Sequence, residues 1–409
     1  MIKVARTQTV ISPERPMPLM GHAMRKGNST GVHDDLEAHV LSLVVDGERC
    51  CWINADVISF EADFTERLRN ELEQEFQIRK ELVIVSATHT HSGPLMMDSP
   101  FDSQCCDPDY VESVYQKILG ACRVVIGQEQ PVDHVLYQKG ESYGFYGNRN
   151  SRDKAGDPWI HILHFQDEHD QDLATLVNLS CHCTVNSPLE MQFSADLFGV
   201  IRRALTPVYG VAPIMAQGNA GDISNRQYRE GNDFAALDRT AQGIVDQILQ
   251  FAPGERIELG HVQARPFHFV VDYKNDQDAY RRKLAELEAR LEQAAAFDDR
   301  KWLISEISGC RRKMQMDQVH VDFGCTVIRI QDLEIVVLPC ELASAFGLQI
   351  KRASTARCAL VWGYANGHTT YVVEASEFNG GHDGISTILP KGKAEEFVGI
   401  ILQHLFDEG

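Results

Sequence analysis

Apolar residues recur along this chain with two different periods, and the switches between them lay out an α/β protein. Short β-branched and apolar runs at 39–45, 51–54, 81–85, 135–138, 159–165, 173–179, 213–217, 325–330 and 334–338 predict strands. The run 81–85 is apolar on both faces and reads as buried within a sheet. Between these runs, apolar positions three and four apart predict helices at 61–80, 109–125, 196–208, 234–251, 342–352 and 393–406. An irregular entry precedes the first strands within 1–60, and a turn near 364–368 leads into a last strand holding Tyr371. The stretch 274–318 differs. Leu284, Leu287, Leu291 and Ala294, then Trp302, Ile304, Ile307 and Met314, recur at helical spacing among many charges and predict a two-helix hairpin. It can pack on the body, act as a lid or join two copies of the chain into a homo-oligomer; packing is the expectation. The fold class is therefore α/β with mixed sheets, 1–273 and 319–409 forming one body and 274–318 inserted as a helical hairpin.

Chemistry-bearing residues gather where the predicted strands end, the usual place for functional groups in α/β proteins. Ser86-Ala87-Thr88-His89-Thr90-His91-Ser92-Gly93-Pro94 follows the strand at 81–85. In an extended segment, positions two apart point the same way, so His89 and His91 can face one pocket. Neutral imidazole binds metals and transfers protons near neutrality. A lone His-x-His is otherwise read as two solvated loop histidines. The strand at 173–179 runs into Ser180-Cys181-His182-Cys183. Alternation there favours His182 as the ligand, with its cysteine neighbours packed inside. Gly218 to Asn225 brings Asp222, Ser224 and Asn225 to a third strand end, although a Gly/Asn/Asp turn needs no function. Glu341 stands after a strand and at the head of a helix, where the helix dipole alone would favour it. Arg149 and Arg152 lie in a glycine-rich loop and can hold a carboxylate, phosphate or oxyanion. Tyr371, by default, is a packed aromatic.

Composition narrows the classes. At 409 residues with 44% hydrophobic and 24% charged content, the chain is an ordinary globular protein. A net charge of −19 argues against non-specific nucleic-acid binding and against docking on anionic lipid through a basic patch. No apolar run is long enough for a transmembrane helix. Eleven cysteines and a charged, non-apolar start predict free thiols and a cytoplasmic setting.

Taken in order, these loops resemble motifs of the neutral, non-lysosomal ceramidases. Thr30-Gly31-Val32-His33 is similar to an N-terminal motif of that family, and Thr88 to Pro94 to its most diagnostic one. Asn148-Arg149, His182, Gly221-Asp222-Ile223-Ser224, Pro339-Cys340-Glu341, Asn366 to Tyr371 and His382-Asp383-Gly384 follow in the family's order. The resemblance implies Zn²⁺ held by His89, His182, Glu341 and Tyr371, and hydrolysis of an N-acyl amide by zinc-activated water. It implies His91 as general base or oxyanion donor, Arg149 at the substrate's polar end, and Ser224 at the position of a proposed nucleophile. Asn225 and His382 are expected to line the substrate site. Cys340 in place of a glycine, His382 in place of a tyrosine, and no expected immunoglobulin-like C-terminal domain depart from the family. The substrate, ceramide-like or smaller, therefore transfers less well than the chemistry. A zinc esterase or phosphoesterase, and a metal-stabilised interaction protein without turnover, are the alternatives.

Overall fold

The computed structural model describes residues 1–99 and 104–407. Among the described residues, three larger sheets carry the fold, and each contains one parallel pair among antiparallel neighbours. The first runs Val83–Ala87, Glu48–Ala55, Glu37–Val45, Ile2–Val10, Gln130–Pro131, with its first two strands parallel. The second runs Ile214–Gln217, Asp172–Leu179, Trp159–Gln166, His134–Glu141, Glu255–Ile257, again parallel only in its first pair. The third runs Val262–Lys274, Gln318–Ile330, Leu333–Val337, Cys358–Trp362, parallel in its last pair.

One face of each sheet is apolar toward a shared interior. Leu41, Trp52 and Ile84 from the first meet Leu163, Phe165 and Leu176 from the second and Ile328, Ile335 and Trp362 from the third in one buried cluster. Helices cover the outer faces. Ala62–Phe76 and Pro108–Val125 pack on the first sheet, Asp196–Tyr209 and Phe234–Ile248 on the second, Ser344–Ala353 and Lys393–His404 on the third. The parallel strands are buried on both sides and end at one place. Gly363 N–H donates to Gln217 O, Ala87 N–H to Tyr364 O and His91 N–H to Cys183 O, so loops from all three sheets are laced together.

The predicted strands and helices are present with boundary shifts of a few residues, except that the strand expected at 325–330 begins seven residues earlier, at Gln318. The entry is not irregular: Ile2–Val10 pairs with Glu37–Val45 along its whole length, from Ile2↔Val45 to Val10↔Glu37. Val262–Lys274 is a further strand that the pattern did not announce. It holds Pro266, which lacks an N–H, and it tolerates this as an edge strand. The region 274–318 forms two helices, Gln277–Gln293 and Phe297–Met314, packed through Leu287, Leu303, Ile307 and Cys310 and onto Ile385.

Candidate metal centre and active site

His89 follows the strand Val83–Ala87 but is not extended; its φ is +63°. The turn aims its ring inward, where Nδ1 lies 2.8 Å from Ile58 O. His91 comes back to the same point on the next turn, with Nδ1 2.9 Å from Gly21 O and its own carbonyl held by the Arg25 guanidinium. Convergence of the two rings therefore arises from a left-handed residue, not from strand alternation. His182 is fully buried, its Nδ1 2.7 Å from Ala220 O, with Cys181 and Cys183 packed in the core beside it as expected.

A carbonyl accepts only, so each Nδ1 bears the proton and each Nε2 presents a lone pair. These Nε2 atoms meet: His91 and His89 are 3.1 Å apart, and the three rings form a group able to hold a metal ion. Lone pairs facing at that distance repel unless a cation lies between them. Burial first, then the neighbouring imidazoles, push His91 well below its ordinary value, which disfavours a shared proton there.

Glu341 completes the group. Its Oε2 lies 3.0 Å from His182 Nε2 and 3.5 Å from His89 Nε2. Donors bound tetrahedrally to one zinc stand about 3.3 Å apart, so this spacing fits such an ion. The Tyr371 hydroxyl is 3.5 Å from His182 Nε2. Burial would raise the Glu341 carboxyl, but His89, His182 and His368 outweigh it and hold it well below 4.5. Two residues not singled out from the sequence orient it: Tyr364 donates to Oε2 at 3.2 Å, and His368 Nε2 is 3.0 Å from Oε1. Both lie in the segment before Tyr371, where aromatic or histidine spacing of three to seven residues was the available signal.

Other expected residues line the space beside this cluster. Arg149, Ser224, Tyr371 and His382 border a small cavity next to His91. The Arg149 guanidinium is paired with Asp383 and also acts on the Tyr371 hydroxyl. Arg152 donates to Gln227 O instead of facing the site. Asn225 is buried with no hydrogen-bond partner for either amide atom among the described residues. His382 is held to about 4 by burial and by Arg149. Asp222 is not a simple turn cap. It accepts from Asn148 Nδ2 at 2.8 Å and from Ser344 N at 2.7 Å, tying the Asn-Arg loop to the segment after Glu341. Asp196 likewise receives Val185 N and Asn186 N, three and four residues beyond His182. His33 lies apart, stacked on Phe234.

No protein-family model matches the sequence, and no curated protein matches it. Solved structures do match. The crystal structure of neutral ceramidase from Pseudomonas aeruginosa superposes with a TM-score of 0.77 at 17% identity, covering 100% of this chain and 75% of that one. A ceramidase complexed with C2 gives 0.76 at 16% identity, covering 98% and 74%. The chain has the fold of the solved neutral ceramidases. At this identity the ceramidase likeness is one of fold, and the site geometry above carries the chemistry on its own terms. Among the described residues no helix is long and apolar enough to cross a membrane.

Proposed function

We propose that this chain belongs to the neutral ceramidase family and is a zinc-dependent amidohydrolase that cleaves the C–N bond of an N-acyl substrate. The observation that carries the reading is the meeting of three lone-pair-bearing imidazoles with the Glu341 carboxylate at buried strand ends. The ceramidase fold and the ordered motifs support it. His89, His182 and Glu341 would hold the ion, with Tyr371 as fourth donor, a nitrogen and oxygen set that zinc accepts. When bound, zinc polarises a scissile carbonyl and lowers the pKa of water.

The chain's own groups supply the rest. His91 Nε2, aimed at the cluster, would accept the proton released as water attacks, the charge developing there offsetting the burial that otherwise disfavours its protonation. Gly21 and Arg25 fix its ring and backbone. Arg149 is neutralised by Asp383, so it positions Tyr371 and is not free to clamp an anion. That pairing, with Arg152 turned away, disfavours the phosphoesterase alternative built on these two arginines. Ser224 contributes a hydroxyl to the cavity wall, its Oγ receiving Arg226 N–H at 3.2 Å. Water as the attacking group needs no base aimed at this serine. The larger cavity, about 380 Å³, borders the cluster and is apolar at Met20, Ile58 and Met97, which suits an acyl arm.

Elemental analysis of purified protein tests the reading, with amide hydrolysis measured in the presence and absence of chelator. About one zinc per chain and chelator-sensitive turnover are expected, and His182→Ala should lose the ion. His91→Ala should keep it while turnover falls by at least about a hundredfold. Metal loss in His91→Ala would instead make His91 a ligand, which its 3.1 Å approach to His89 also allows. Metal without any hydrolysis would favour the interaction-protein alternative.

A further inference from the structure

Beside the larger cavity part of the site wall is basic, in a chain whose net charge is −19. A smaller space of about 70 Å³ shares Gly21, His91, Ser305, Tyr371 and His382 with the larger one and continues past Ser224. An amide lying over the imidazole cluster would thus send one arm into each space. The small space is lined by Arg149, Arg226, Arg229 and Lys301 and by the carboxylate of Asp298, which attracts both Arg226 and Lys301, with Asp299 also acting on Arg226 from nearby. Arg149 is neutralised by Asp383, and Arg229 pairs with Asp298 at 2.6 Å.

Arg226 and Lys301 remain. Arg226 lies 3.8 Å above the Trp302 ring, and Lys301 precedes that ring on the helix Phe297–Met314. Among the described residues neither has an ion-pair partner. Burial, then Arg229, lowers both groups, Lys301 to about 8. Asp298 and Asp299 offset part of their repulsion, yet neither carboxylate bonds them, and two such cations held together at a half-buried wall remain unfavourable by themselves. Such an arrangement is stable when an anion joins it, and guanidinium and ammonium groups are the usual partners of carboxylates and phosphates.

We infer that this basic compartment receives a small anionic group, a carboxylate or a phosphate, carried by the amine half of the substrate. The inference rests on the amidohydrolase reading and narrows it to an N-acyl amino acid or an N-acyl aminoalkyl phosphate, in place of a neutral N-acyl alcohol. In the reaction the amide C–N bond breaks and water's oxygen bonds to the acyl carbon. Of water's two protons, one goes to the amine nitrogen and the other stays on the new carboxyl group or is released from it, giving a fatty acid and an amine that carries the carboxylate or phosphate.

Three substrates with one acyl chain test this with the metal-loaded full chain: N-hexanoylglycine, N-hexanoyl-O-phosphoethanolamine and N-hexanoylethanolamine. One anionic compound should exceed the neutral one in kcat/KM by at least about tenfold, and whichever does so distinguishes carboxylate from phosphate. Lys301→Met should remove most of that preference and Lys301→Arg should restore it. Equal or better hydrolysis of the neutral compound by the unmodified protein overturns the inference while leaving the amidase intact. If none is hydrolysed, calorimetric titration with the same compounds separates the two readings. Tighter binding of an anionic compound, lost in Lys301→Met, keeps the compartment and retires the amidase. Equal or absent binding overturns the compartment.

Discussion

Gly21 accepts the Nδ1 proton of His91 on its carbonyl and adopts a φ of +109°, and a methyl group there would lie 2.5 Å from the imidazole. Gly21→Ala therefore forces either the loop or the ring to move. Turnover should fall more than about tenfold, since small displacements of a catalytic group are costly, while elemental analysis still finds one metal per chain. An unchanged rate would remove Gly21 from the positioning of His91. At this scale the sequence reading singled out His89, His91, His182 and Glu341 because each stands just past an apolar run, whereas Tyr371, by itself a packed aromatic, was singled out only by the ceramidase resemblance. It did not find Tyr364 and His368, whose partner Glu341 is 23 and 27 residues away. Nor did it find Arg25 and Gly21, since a backbone carbonyl offered to an imidazole leaves no trace in side-chain pattern. The reason given for His89 and His91 converging was also incomplete, because a left-handed residue is not visible in hydrophobic alternation.

Among the elements, the helical hairpin shows how period can reveal a structure and not its use. The spacing of Leu284, Leu287 and Leu291 announced a helix, and packing was its expected role. The helix Phe297–Met314 does pack through Leu303 and Ile307, but its opposite residues Ser305, Ser308 and Arg312 form part of the wall of the main cavity. Its carrier, the strand pair Val262–Lys274 and Gln318–Ile330, was legible only in its second half, because Pro266 and exposed charges disguise an edge strand. Leu287 is fully buried between the helices. Leu287→Ala should destabilise the protein by about 2–5 kcal/mol, read by urea denaturation, and should raise KM more than it lowers kcat. A normal KM in a measurably destabilised variant would show that the hairpin does not shape the site.

Across the whole molecule, the site depends on how the first sheet is fastened to the helix covering the second. Arg202, on the helix Asp196–Tyr209, is 2% exposed and bonds Asp56 through both terminal nitrogens, at 3.1 and 2.5 Å. It also reaches Glu37 at 3.3 Å. Asp56 follows the strand Glu48–Ala55, and the next residues, Val57 and Ile58, supply the carbonyls that hold His89. The ion pairs thus underlie the loop that carries His89, a ligand in the proposed function. Arg202→Met would leave two carboxylates without their cation in the interior, an uncompensated charge worth about 3–5 kcal/mol. Acid titration supplies the sign. Burial would raise the Glu37 carboxyl, yet the His39 hydrogen bond and the Arg202 charge outweigh it and bring it to about 2. Because this lies below the ordinary value of 4.5, the native state binds fewer protons than the unfolded chain between the two values. Glu37 then adds stability above about pH 4.5 that is lost as the pH falls toward about 2. In Arg202→Met the acid-unfolding midpoint should move to higher pH, followed by circular dichroism. His89 should lose metal in parallel with unfolding, because the same segment carries both. A variant that unfolds at the original pH, or keeps its structure while its metal leaves first, would show that the ion pairs do not support the site.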